Sequence, residues 1–120
     1  MIKLLALIGS DATIYVPAPC RGVVVGLKAV YQTNAVEPAD TIIASRDATA
    51  VNTLTAVTTA GLVVETGVPD VTNKDLVFDP ASTTAVNQVI KLVANGTAGV
   101  AMVEIEFDES AHVAQPALEA

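Results

Sequence analysis

The side chains with the most chemical reach in this sequence fall into a few small groups. Cys20 and Arg21, within VPAPCRGVVVGLKAVYQT (residues 16–33), join the chain's one thiol to a cation. Glu104 and Glu106 are two apart in VAMVEIEFD, DVTNKD carries Asp70, Asn73 and Asp75, and Asn95-Gly96-Thr97 matches the N-glycosylation acceptor pattern. A nucleophilic cysteine needs a lowered pKa, supplied by a nearby histidine or a helix N-terminus. The one histidine, His112, lies in the last twelve residues, and a β-branched run rather than a helix follows Cys20. Arg21 brings a charge but no base. The stretch therefore reads as structural, a small semi-buried thiol at the entrance of a core strand.

The other groups fare no better as chemistry. On a strand, Glu104 and Glu106 point the same way with Cβ atoms roughly 7 Å apart, a spacing at which paired carboxylates can hydrolyse glycosides. The chain has no Trp and two Tyr, too few aromatic platforms for a sugar, so an outward acidic face is the preferred reading. One Cys and one His cannot complete a zinc site of nitrogen and sulfur ligands. DVTNKD offers oxygens to calcium but lacks the EF-hand spacing, its glycine and its terminal Glu, and reads as a solvated loop. Asn-Gly is also a common turn pair, and with no secretion signal the turn reading wins. No P-loop, G-x-S-x-G or G-x-G-x-x-G is present. The sequence predicts no enzyme, no cofactor and no metal.

Composition bounds what remains. A chain of 120 residues has the length of one domain, and its 52% hydrophobic content against 16% charged residues excludes disorder. Aromatics are only 3%, so Val, Ile, Leu and Ala must build the core, and abundant Val and Thr favour a pleated surface. A net charge of −7, with six basic residues spread singly, argues against nucleic acid. The lone cysteine excludes an internal disulfide. The apolar run LLALI is shorter than the roughly 7–15 residues of a signal peptide core, and no segment approaches the roughly 18 apolar residues of a membrane span. The expectation is a soluble, unprocessed protein with no membrane partner.

The elements that must position these residues are short strands. IKLLALI and TIYVP are separated by the turn-like GSDA, and Pro17 and Pro19 punctuate the chain before its longest strand candidate. Strict alternation there puts Val23, Val25, Leu27, Ala29 and Tyr31 on the core face. Val24, Gly26, Lys28, Val30 and Gln32 fall on a mixed face, suited to water or a neighbouring subunit. NAVEPAD is a loop and TIIASRD a strand. The Thr/Ala-rich middle, ATAVNTLTAV to TGVPDVTNKD, predicts short strands and long connections, with a helical turn in AVNTLTAV as an alternative. LVFDPASTTAV predicts a strand ending at Asp79-Pro80. NQVIKLVA and VAMVEIEFD flank the loop NGTAG and predict a hairpin. In its second arm Ala101, Val103, Ile105 and Phe107 alternate with Met102, Glu104, Glu106 and Asp108, facing the apolar row Ile90, Leu92 and Ala94. Strands at this spacing predict an all-β fold, a jelly-roll-like antiparallel β-sandwich over residues 1–109, with a C-terminal tail over 110–120.

The order of segments carries a resemblance. Val16-Pro17-Ala18-Pro19 leads into a Gly-Val-rich strand, followed by Pro38-Ala39-Asp40-Thr41-Ile42 and a Thr/Ala-rich middle. Ile90-Lys91-Leu92, a turn with Gly96 and Gly99, and Ala101-Met102-Val103-Glu104-Ile105 close the pattern. Over about residues 12 to 107 this resembles the small jelly-roll head decoration, or cement, proteins of tailed bacteriophages. It departs from many of them at Asn87-Gln88, where they carry Gly-Asp. The resemblance implies a structural protein made in the host cytoplasm that binds the outside of an assembled capsid and stabilises it. Its implied partners are the major capsid protein and further copies of itself, with a trimer ahead of a dimer. A cement protein needs a rigid body and adhesive ends, extended flexible termini that order against neighbours, so the contact candidates are Met1, Ile2, Lys3, Leu4 and Leu5 at one end. At the other are Ser110, Ala111, His112, Val113, Pro116 and Leu118 of the tail. Val24 and Val30 are candidates between subunits, and Tyr15 and Tyr31 are read as core residues first and interface anchors second. Another virion component, such as a tail or head-fibre base domain, and a ligand-binding β-sandwich module are the alternatives.

Overall fold

Alternation of apolar and polar residues, the feature that dominates the sequence, becomes two antiparallel sheets packed face to face. The computed structural model describes residues 1–9, 11–31, 40–55, 64–96 and 100–109. Their strands are β1 (Ile2–Ile8), β2 (Thr13–Pro17), β3 (Val23–Tyr31), β4 (Thr41–Arg46), β5 (Thr49–Thr55), β6 (Val64–Thr66), β7 (Val68–Pro69), β8 (Val89–Asn95) and β9 (Ala101–Asp108). A single 3-10 turn, Ala85–Gln88, precedes β8. One sheet has the order β1-β9-β3-β6 and the other β2-β8-β4-β5-β7.

The pairings are nested. β1 pairs with β9, β2 with β8, β3 with β6 and β4 with β5, every pair antiparallel. The chain is thus one long hairpin of four strand pairs, rolled so that alternate pairs fall in opposite sheets. Pairings of β3 with β9 and of β4 with β8 close each sheet. That connectivity is a jelly roll, and the fold is an all-β sandwich.

The core lies between the sheets. Leu27, Ala29, Tyr31, Val103, Ile105 and Phe107 come from one side and Ile42, Ala44, Leu54, Ile90 and Leu92 from the other, all buried. Each fully buried large side chain stabilises the fold by about 1.5–3 kcal/mol relative to exposure. Phe78 joins them from the segment after β7, held by reciprocal backbone hydrogen bonds with Gly22 (Gly22 N to Phe78 O, 2.9 Å; Phe78 N to Gly22 O, 2.8 Å).

Four expectations are corrected here. β8 and β9 do not form a hairpin; they belong to opposite sheets, and their apolar rows meet across the core instead of side by side. Strict alternation fails at the start of β3, where the register against β9 shifts between Val24 and Gly26. The bulge inserts Val25, turning it outward at 39% exposure and sending Val24 into the core at 3%. Val24 is therefore no contact between subunits. Residues 49–55 form strand β5, paired along β4, and the helical turn lies later, at Ala85–Gln88. Met1 to Leu5 is not a loose arm either: Ile2 and Leu4 pack against the core from β1, because IKLLALI alternates with its isoleucines and Leu4 inward.

Candidate surface on the four-stranded sheet

The groups that opened the sequence reading are placed as parts of the framework. Cys20 is half-buried against the core. Arg21 Nη1 donates to Asp79 Oδ2 at 3.0 Å, with only 19% and 13% of the two side chains exposed, so the pair pins the 70s segment to the start of β3. Asp70 Oδ1 accepts from the amides of Thr72 and Asn73, both at 2.9 Å, which spends its carboxylate on a turn. Among the described residues no three His, Cys, Asp or Glu side chains cluster as a metal site would require. No helix among them is long and apolar enough to cross a membrane. Asn95 Nδ2 lies 3.5 Å from Thr41 Oγ1, and the Gly96 amide donates to Asp11 Oδ1 at 3.0 Å. Thr97, His112 and the rest of the tail candidates lie outside the described residues.

The end of the sandwich beside Gly96 is closed by side chains. Ile8, Tyr31, Asp40, Ile42 and Ala94 line a void of about 10 Å³, room for no more than one water. Burial, and secondarily the nearby Asp40 and Glu65 carboxylates, raises the Tyr31 phenol above its ordinary value of 10. Tyr15 goes the other way: it stands on the outer side of β2 at 61% exposure, so it is no core residue.

What the fold does build is a surface. On the outer face of the β1-β9-β3-β6 sheet, cross-strand partners line up in rows. The first row runs Leu7, Met102, Val30 and Val64, an apolar residue from every strand. The second runs Leu5, Glu104, Lys28 and Thr66, and the third begins Lys3, Glu106 and Gly26. Leu5, Leu7 and Val64 are exposed by 69%, 57% and 59%, well beyond what chance exposure of one residue explains when three share a face. A shallow groove of about 420 Å³ crosses the two upper rows.

The carboxylates at Glu104 and Glu106 do face outward, but they are not an acidic patch. Lys3 Nζ lies 3.9 Å from Glu104 Oε1 and Lys28 Nζ 4.0 Å from Glu106 Oε1. Such solvent-exposed pairs contribute about 0–1 kcal/mol each, so they set charge pattern rather than stability. The face is locally neutral on a chain whose net charge is −7. Sequence reasoning found Lys3, Leu5 and Val30 as contact candidates and missed Leu7, Met102 and Val64. IKLLALI is apolar on both faces, which hid Leu7, and Met102 was grouped with the glutamates that follow it.

The structure also holds the N-terminus against Glu109, the last of the described residues. The Met1 ammonium donates to Glu109 Oε1 at 2.7 Å, and this contact raises its pKa above 8.0. The first residue of the N-terminal candidates, Met1, therefore lies where β9 runs out, at the end of the edge strand β1. Comparison with known proteins found no matching family model, no matching curated protein and no matching solved structure.

Proposed function

We propose that this chain is a structural virion protein that binds the outer surface of an assembled phage capsid and stabilises it. The observation that carries the reading is the corner of a jelly-roll body where Met1 meets Glu109, the last described residue, at 2.7 Å. Segments that leave a rigid sandwich at one point can grip one neighbour together. Lys3 and Leu5, the exposed members of β1, and residues 110–120 form the gripping set, with Ile2 and Leu4 anchoring that corner to the core. The resemblance to head decoration proteins supplies the partner, the major capsid protein. Many copies, each holding weakly, reinforce a shell by avidity, and binding only the assembled form stabilises it by mass action.

Reattachment tests this. Particles stripped of the chain are titrated with the purified protein and then heated. Saturable binding at a fixed copy number, with later release of DNA on heating, is the expected result. Absence of saturation, or attachment confined to tails or fibres, would overturn it.

A further inference from the structure

We infer that the outer face of the β1-β9-β3-β6 sheet is where a second copy of this chain docks, about a two-fold axis running parallel to the strands between β9 and β3. The inference rests on the reading of the chain as a self-associating surface protein and fixes a symmetry for it, a dimer in place of the trimer that the resemblance implies.

The argument is one of self-matching. A two-fold contact is isologous, so residue i must suit residue j and j must suit i. Rotation about this axis sets β9 over β3 of the second copy and β1 over its β6. In the first row Met102 then meets the second copy's Val30, and Leu7 meets its Val64, four apolar contacts counting both directions. In the second row Glu104 meets the second copy's Lys28, and Lys28 its Glu104. In the third row each copy's Glu106 side chain lies over its own Gly26 and stays within 4.0 Å of its own Lys28, so this row adds no cross-copy match. The same operation thus matches apolar to apolar across the first row and Glu104 to Lys28 in the second.

Charge also selects the occupant. Each chain carries −7, so two copies repel except through a face whose own charges cancel. Lys3, Lys28, Glu104 and Glu106 cancel here, whereas a basic partner would gain nothing from such a face and would seek the acidic remainder. About seven residues each of β1, β9 and β3 and the three of β6, at about 4.8 Å between strands and about 3.4 Å per residue, give a footprint of roughly 390 Å² a side. That is near half of the roughly 800 Å² a side of a standard interface, so pairing is expected on the order of tens to hundreds of micromolar.

Analytical ultracentrifugation of the purified chain from about 5 μM to 1 mM reads this directly. A monomer–dimer equilibrium is expected, weakened about tenfold or more by Leu7→Glu, an exposed position whose change leaves the core intact. Lys28→Glu and Glu104→Lys chains are each expected to self-associate more weakly than wild type. Mixed in equal amounts they are expected to recover the wild-type constant, because each new charge then faces its opposite. A merely folding-related defect would not be repaired by mixing, and thermal melts of each variant check that the fold persists. A monomer at 1 mM, a trimer, a dimer indifferent to Leu7→Glu, or no recovery on mixing would each overturn the inference. No capsid enters these measurements, so their failure leaves the attachment reading standing and is distinguishable from a failure of attachment.

Discussion

At the residue scale, small backbone and side-chain choices decide whether the sandwich closes. Gly96 has φ +152°, and a Cβ there would overlap the Asp40 carboxyl. Gly96→Ala is expected to cost about 2 kcal/mol, lowering Tm by several degrees in a scan against wild type. Tyr31 makes a pH statement. Its folded pKa is raised above 10 by burial and nearby carboxylates, so the folded chain keeps a proton that the unfolded chain releases. That contribution is whole below pH 10 and is lost as pH rises through the folded value. Denaturant titrations at pH 8 and pH 11 should therefore show wild type losing stability relative to Tyr31→Phe, whereas parallel losses would refute the assignment. Residues of this kind were half-legible beforehand. Cys20 at the entrance of a core strand was readable, but nothing in the spacing pairs Arg21 with Asp79, because 58 residues separate them.

At the scale of elements, β-prone runs between turn signals located β1, β2, β4 and β8 and period-two patterning located β3 and β9, and the reading failed where geometry is decided by a partner strand. A bulge is a property of two strands in register, so the shift at Val24–Gly26 is invisible in GVVVG alone. Its consequence is checkable: Val24→Asp buries a carboxylate in the core and is expected to abolish soluble folding, while Val25→Asp is expected to stay within about 0.5 kcal/mol of wild type. Equal tolerance of the two would remove the bulge from the account. The β8–β9 connection failed for a related reason. A short Gly-containing loop between alternating strands fits a hairpin or a crossing between sheets equally well, and burial of both apolar rows in one core settles it as a crossing. The β4–β5 hairpin escaped notice because its turn is Asp47-Ala48 rather than Asp-Gly, with Asp47 itself taking φ 55°. Phe107, shared by that core, is expected to cost about 3–5 kcal/mol as Ala in urea unfolding.

At the scale of the whole molecule, the jelly roll was legible from strand number and spacing, while the nested strand order was not. The surface rows were not legible either, since they require knowing that β1, β9, β3 and β6 are neighbours. The outcome is a rigid body with Met1 held to Glu109 at one corner and an apolar face with paired charges across one sheet. Removing residues 110–120 is expected to weaken particle attachment about tenfold or more while the sandwich still melts cooperatively, because the described core ends at Phe107. Removing Met1–Leu5 is expected to destabilise the fold itself, since Ile2 and Leu4 leave the core with it. The measurement that tests the central claim most directly is density-gradient fractionation of particles from the native source, with the chain quantified in each fraction by mass spectrometry. Co-banding with DNA-filled heads at a fixed, high copy number is the result the account predicts. Recovery of the chain only in the soluble fraction would contradict it.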